Sequence, residues 1–539
     1  MHPVNPAKEG NRKSEILSSE AEQLRRTDVN LKSTLPVKKQ DRPSSIVTHP
    51  ASAASDSVKT KNLQSSIVNI QSAKGGLDPQ YTYDLNGNRT SMITPYGTWT
   101  YEYNEMDSLT KITNPDGKAT TFTYDDLERR SSMVYGNGAS TTYTYNAESR
   151  LTGMLTQNSQ LITLNSYTYT YDRVYNRTSM TDNHGTHTYT YDDVYQLTNA
   201  THPQAYNPNE SFTYDPVGNR LTSHLSSAYV YDNLNRLLED DHYTYSYDAN
   251  GNLTSKVDKI SIATTNYQYD DENGLIQVVT PTDIVQYQYD GFGRRIAKNV
   301  NGVVTRYVYD REDILFEVDA NGNIKARYTH GPGVDEPISV DRDTNGDGVL
   351  DTTYYYHYDG LGSVTAIADN AGNVMQTYEY DAFGKIVQQT GSVENTYTYT
   401  CREWDEKAGL YFYRARYYDP SVGRFINGDP IGFAGGNVNF YVYVQNNPIN
   451  YVDPYGLLGW SDIGAIALGT GGAIAFTLGA PVTGTILGVG AVGFIVYSNY
   501  IAPSQNIECF EEDAEQVGDL VDELTEEFEK AARSGGSVK

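Results

Sequence analysis

The chain has 539 residues, a net charge of −27 and two cysteines, Cys401 and Cys509. So few and distant cysteines exclude a disulfide framework and a cysteine-ligated metal, and the acidity argues against a nucleic-acid partner, so none is expected. Tyr (48) far outnumbers Phe (13); because a buried tyrosine hydroxyl needs water or a partner, composition predicts a wall with a wet or polar face.

Residues 1–74 carry 12 Lys/Arg against 7 Asp/Glu, are rich in Ser and Lys and hold few aromatics. Too little apolar surface is available there to offset chain entropy, which predicts a disordered leader. It lacks the charged start and apolar run of a secretory signal.

Residues 75–353 repeat one phrase: aromatic, spacer, Tyr, Asp, with Gly three residues after the Asp. It appears at Tyr81, Tyr83, Asp84 and Gly87, and again at Phe212, Tyr214, Asp215 and Gly218. The phrase also recurs at Tyr287, Tyr289, Asp290 and Gly293. The step is about 20 residues, in the range of repeat architectures. Alternation as in Tyr167, Tyr169 and Tyr171 puts the rings on one face of a strand. Asp followed by Gly is turn chemistry, with the carboxylate capping backbone N–H groups. Each unit therefore reads as one hairpin, and the array as an all-β spiral of stacked hairpins.

Near the end of the array, Asp343, Asn345, Asp347, Val349 and Asp351 follow the spacing of a calcium loop, with Gly348 at its sixth position. The twelfth position is Tyr354 where such a loop carries Glu. The expectation is a bound Ca²⁺ that stiffens the wall.

Residues 354–457 are expected to form a separate unit, and after residue 400 the texture changes. One run contains Arg414, Ala415, Arg416, Tyr417, Tyr418, Asp419 and Pro420. Gly423, Arg424 and Phe425 come next, then Asp429 and Pro430, and the block closes on Asp453, Pro454, Tyr455, Gly456 and Leu457. Repeat and block together resemble the rearrangement-hotspot (RHS) family with its repeat-associated core domain. Insecticidal toxin-complex C components share that arrangement, and teneurins share the repeats. The resemblance implies a β-sheet wound into a hollow cocoon, with the core domain curling inward as a plug. It also implies that residues 458–539 are a variable cargo, often a toxin.

Asp429 and Asp453 are the candidates for chemistry, because two carboxylates that share a proton can act as acid and base together. In the resembled family the matching pair cuts the chain after the Leu that corresponds to Leu457, making Leu457–Leu458 the expected scissile bond and Arg424 the expected support. At most, then, the chain is an aspartyl-type peptidase acting on itself. An Asp-Pro turn alone also explains this local sequence, since Asp215, Pro216 and Gly218 repeat it inside the array.

Residues 458–539 contain no His, one Cys and one Arg, a poor inventory for an enzyme. Ile463 to Ile507 holds no Asp, Glu, Lys or Arg. Its stretches 463–480 and 482–500, separated by Pro481, are each near the length of a bilayer span. Residues 511–533 place Val517, Leu520, Val521, Leu524 and Phe528 on one helical face, which predicts an amphipathic helix. The expectation is a secreted or cell-surface bacterial toxin carrier with a pore-forming tail. Its expected partners are a target-cell membrane, an immunity protein and a secretion-system or surface carrier. The competing reading is a carbohydrate- or cell-binding repeat protein anchored by residues 463–500.

Overall fold

A computed structural model describes residues 79–457 and the strand Trp460–Ser461. The expected leader, the two apolar stretches and the amphipathic helix all lie outside these residues. The described residues form strands and three short 3₁₀ turns. Two antiparallel meanders dominate: 14 strands in strict chain order from Gln80 to Ser223, and 16 from Val230 to Thr390. The all-β reading of stacked hairpins therefore holds.

One hairpin shows why the repeat folds this way. Strand Glu210–Tyr214 pairs with Arg220–Ser223, and the register slips by one residue between Thr213 and Tyr214. This bulge turns Tyr214 and lets the chain reverse. Asp215 then caps the turn, its Oδ1 accepting the N–H groups of Val217 at 3.0 Å and Asn219 at 2.8 Å. Gly218 takes the left-handed exit at φ 76°.

The second Tyr of each phrase has a task that its spacing did not reveal. In most hairpins its hydroxyl donates to a backbone carbonyl of the preceding hairpin, as in Tyr124 to Leu109 at 2.7 Å, Tyr214 to Leu197 at 2.8 Å and Tyr380 to Val364 at 2.6 Å, with the buried Tyr269 hydroxyl an exception. Where composition predicts a wet or polar face, these bonds form bolts between hairpins that satisfy tyrosine hydroxyls within the wall. The first aromatic of the phrase lies deeper and is buried at Phe122, Tyr189, Phe212 and Tyr287, with Phe212 stacked beside Tyr214.

The buried faces of the two meanders meet. Trp99, Met133 and Tyr143 pack in one cluster with Phe316, Ile338 and Tyr355. Polar contacts cross the same seam, with Trp99 Nε1 donating to Thr329 Oγ1 at 3.0 Å and Arg130 paired with Glu336. Further along, Tyr245, Leu253 and Tyr267 pack on Phe412, Tyr417 and Ile426 of the block that follows residue 400. The expected division between residues 353 and 354 falls inside strand Thr352–Tyr358 of the second meander. Repeat hydrogen bonding continues there through Tyr380 and Asp381, so the wall ends only after Thr390.

Candidate active site

The block beyond the wall is a small meander of strands Glu403–Asp405, Leu410–Tyr413, Arg416–Asp419 and Arg424–Phe425. Tyr399, Tyr411, Tyr413, Tyr418, Phe425 and Tyr443 form its buried aromatic centre. After Phe425 the chain runs across the turns of the repeats, keyed by amide side chains. Asn446 Nδ2 donates to the Gly218 carbonyl at 2.8 Å, and Asn450 Oδ1 accepts the Arg177 N–H at 2.7 Å. Tyr441 OH reaches the Gly251 carbonyl at 2.8 Å. The repeat turns thus set the path of the chain into its last described segment.

That path brings Asp429 and Asp453 together on one guanidinium. Arg416 Nη2 lies 3.1 Å from Asp429 Oδ2 and 3.5 Å from Asp453 Oδ2, and all three side chains are buried. Arg416 also donates through Nη1 to the Phe440 carbonyl at 2.9 Å and through Nε to the Gly456 carbonyl. Burial pushes the Asp429 carboxyl above its usual range, opposed by Arg416 and by the Ile431 N–H it accepts. Burial likewise lowers Arg416, against the pull of the two carboxylates.

The expected scissile residue sits on this pair. Leu457 N–H donates to Asp453 Oδ1 at 2.9 Å. A methyl group placed on Gly435 would stand 2.7 Å from Asp429 Oδ2 and 3.2 Å from the Leu457 carbonyl oxygen, so those two oxygens flank the same point. A cavity of about 20 Å³ lined by Arg416, Asp429, Asp453 and Leu457 has room for about one water. Beyond Leu457 the chain returns, Trp460 pairing with Val452 and Ser461 with Tyr451. The bond after Leu457 therefore lies in the loop of a two-stranded hairpin.

Such an arrangement can perform acid–base chemistry on an amide. A carboxyl whose proton affinity burial raises stands near a carbonyl oxygen, a second carboxyl holds the N–H of the same residue, and the cavity they line has room for water.

Arg424 does not join the pair. Its guanidinium donates to Asn219 Oδ1 at 3.2 Å and to the Asn235 carbonyl, and lies 4.8 Å from the centre of the Tyr231 ring. It fastens the block to the wall, and the arginine that meets the two carboxylates is Arg416. The signal for Arg416 was its place two residues after Arg414, at the head of a buried strand that continues with Tyr417 and Tyr418.

The acidic loop uses its oxygens on its own backbone. Asp343 Oδ1 accepts Gly346 N–H at 2.7 Å, Asp343 Oδ2 accepts Gly348 N–H at 2.7 Å, and Asn345 and Asp347 accept the N–H groups of Asp347 and Val349, each at 2.9 Å. Asp351 Oδ1 takes the Thr344 hydroxyl at 2.7 Å. Among the described residues no three His, Cys, Asp or Glu side chains gather to hold a metal ion. Asp343, Asn345, Asp347 and Asp351 thus stand in one loop whose oxygens accept its own N–H and hydroxyl groups. Nor, among the described residues, is any helix long and apolar enough to cross a membrane.

Comparison with known proteins agrees with this fold. The teneurin YD-shell profile matches residues 174–449, and an RHS repeat profile matches residues 107–140. The tRNA nuclease WapA of Bacillus subtilis is 34% identical over 272 residues, covering 47% of this chain and 11% of that protein. The double-stranded DNA deaminase toxin A of Burkholderia cenocepacia is 31% identical over 283 residues, covering 46% of this chain and 19% of that protein. The chain thus matches only a small part of either relative's length. Among solved structures, the TcdB2-TccC3-Cdc42 crystal structure aligns with a TM-score of 0.58 at 22% identity, over 72% of this chain and 22% of that one. At that identity the likeness shows the fold.

Proposed function

The chain belongs to the teneurin YD-shell family of RHS-repeat proteins, and on that premise we propose that it is a toxin carrier that cuts its own backbone between Leu457 and Leu458. The carrying observation is the meeting of Asp429 and Asp453 on Arg416, with the Leu457 N–H on one carboxyl and the Leu457 carbonyl beside the other.

The reaction is a hydrolysis. A water oxygen adds to the Leu457 carbonyl carbon while Asp453, ionised, takes its proton. Asp429, whose hold on a proton burial strengthens, gives a proton to the carbonyl oxygen. The tetrahedral carbon then reforms its carbonyl, the C–N bond breaks, and the Leu458 nitrogen leaves with a proton returned by the pair. Arg416 keeps the carboxyls in register and favours the ionised one. Intact-mass measurement on the purified chain tests this: two pieces divided between residues 457 and 458 in the wild type and one unbroken chain in Asp429→Asn support it. An unbroken wild type overturns it.

For the released residues 458–539 two chemistries compete. The names of the two relatives place nucleic acid among the targets of such toxins, against the expectation that no nucleic acid is involved. The uncharged run from Ile463 to Ile507 favours a membrane-active tail. Purified residues 458–539 assayed on tRNA, on duplex DNA and on dye-loaded liposomes separate the two. A bacterial secreted or surface location, and an immunity protein that neutralises the tail, belong to the same proposal.

A further inference from the structure

Three consecutive carbonyls ahead of Leu457 are each held by a donor from one tight turn. Arg414 Nη1 donates to the Pro454 carbonyl, the Ala415 N–H to the Tyr455 carbonyl at 3.2 Å, and Arg416 Nε to the Gly456 carbonyl. Arg414 stands at φ 54° in the two-residue turn between Tyr413 and Arg416, which pair across it. The two turns lie so close that a Cβ on Gly456 would come within 2.3 Å of the Tyr413 carbonyl.

Arg414 is itself gripped from the wall. Asp335, in the loop between strands Ile324–His330 and Pro337–Arg342, accepts Arg414 Nη2 at 2.8 Å on Oδ1 and Nη1 at 3.1 Å on Oδ2. Asp335 Oδ1 also binds Arg402, and the Arg414 guanidinium lies 5.0 Å from the centre of the Tyr455 ring. A fork-shaped, bidentate pair of this kind fixes direction as well as distance. The neighbouring Glu336 pairs with Arg130 of the first meander, so a single loop ties both meanders to the cutting turn.

We propose that Arg414, locked by Asp335, is the positioning residue for self-cleavage: it fixes the Pro454 carbonyl and thereby aims the Leu457–Leu458 bond at the Asp429–Asp453 pair. The inference rests on the self-cleavage reading above. It makes cutting conditional on a finished wall, because Asp335 reaches Arg414 only once the second meander has formed around its loop.

The test follows cutting of the full chain over time by intact mass after cell-free synthesis, at several pH values. Arg414→Ala should cut roughly 10²-fold more slowly, the scale of a small misplacement at a reacting centre. Its residual cutting should keep the wild-type pH profile, because Asp429, Asp453 and Arg416 are untouched. Millimolar methylguanidinium should restore much of the rate. Asp335→Asn, which keeps shape and loses charge, should cut at an intermediate rate and guards against misfolding of the first variant. Wild-type cutting in both variants overturns the inference alone, as does slow cutting in folded Arg414→Ala that methylguanidinium does not restore. A wild type that never cuts overturns the self-cleavage reading and this inference with it, which keeps the two failures distinguishable.

Discussion

Leu457 donates its backbone N–H to Asp453 Oδ1 at 2.9 Å, so the residue at the cut is tied to one of the two carboxyls that would cut it. Asp453 thus has two tasks, and Asp453→Asn separates them. Asparagine keeps the accepting oxygen and the shape but cannot act as a base. Cutting should fall by roughly 10²-fold or more, with the urea midpoint little changed. Intact mass and a denaturation curve on the same preparation check both halves.

Gly435→Ala probes the space between the second carboxyl and the bond. The added methyl would meet Asp429 Oδ2 at 2.7 Å and the Leu457 oxygen at 3.2 Å, so one of them must move. Cutting should slow by about tenfold or more, on the principle that misplacement at a reacting centre is costly. A rate equal to the wild type's would show that the two oxygens are not held where they stand.

The tyrosine bolts predict a graded loss of stability. Tyr124→Phe removes the hydroxyl that donates to the Leu109 carbonyl at 2.7 Å and leaves that acceptor short of a partner. The expected loss is about 1 kcal/mol, read from urea unfolding. An exposed position such as Leu85 gives the control, since Leu85→Ala touches no such bond and should shift stability by less than about 0.5 kcal/mol.

The seam between the meanders should loosen in alkali. Glu210 of the first meander accepts the Ala382 N–H at 2.8 Å, next to Asp381 of the second. Burial pushes Glu210 up to about 7, and burial together with Glu210 pushes Asp381 up to about 8. Lys385 and Arg220 oppose these shifts only in part, and His202 shares Glu210 Oε1 at 2.9 Å. Both carboxyls hold protons more tightly folded than unfolded. Their contribution is therefore fully present below the ordinary carboxyl range and is lost as pH rises through about 7 to 8. The melting temperature should fall between about pH 4.5 and pH 8, by an amount worth at most about 3 kcal/mol in all for Glu210. Glu210→Gln should flatten that fall.

The wall was legible because its signal is local. A Tyr-Asp pair with Gly three residues on encodes a bulge, a cap and a left-handed exit, all within a few residues, as at Tyr214, Asp215 and Gly218. What the tyrosine hydroxyl does was not legible, because its partner is a carbonyl in the previous hairpin, about 15 residues back in the case of Tyr124 and Leu109. The carboxyl pair was legible as a pair, but its arginine was not. Arg416 and Arg424 both sit in short buried strands, and only the meander shows that Arg416 points to Asp429 while Arg424 points to the repeat turns around Asn219. The calcium-like spacing is ambiguous in sequence for a related reason: acidic residues at alternate positions serve a turn's own N–H groups as readily as a cation.

Trp460 and Ser461 pair with Val452 and Tyr451, on the far side of the bond after Leu457. A cut within that loop would change connectivity before it changes position. Both fragments would still share strand pairing, so the nicked protein should elute as one species and part only under denaturing conditions. Scission would then act as an arming step, and departure of the tail would need a second event, mechanical or chemical, that peels a short ribbon apart.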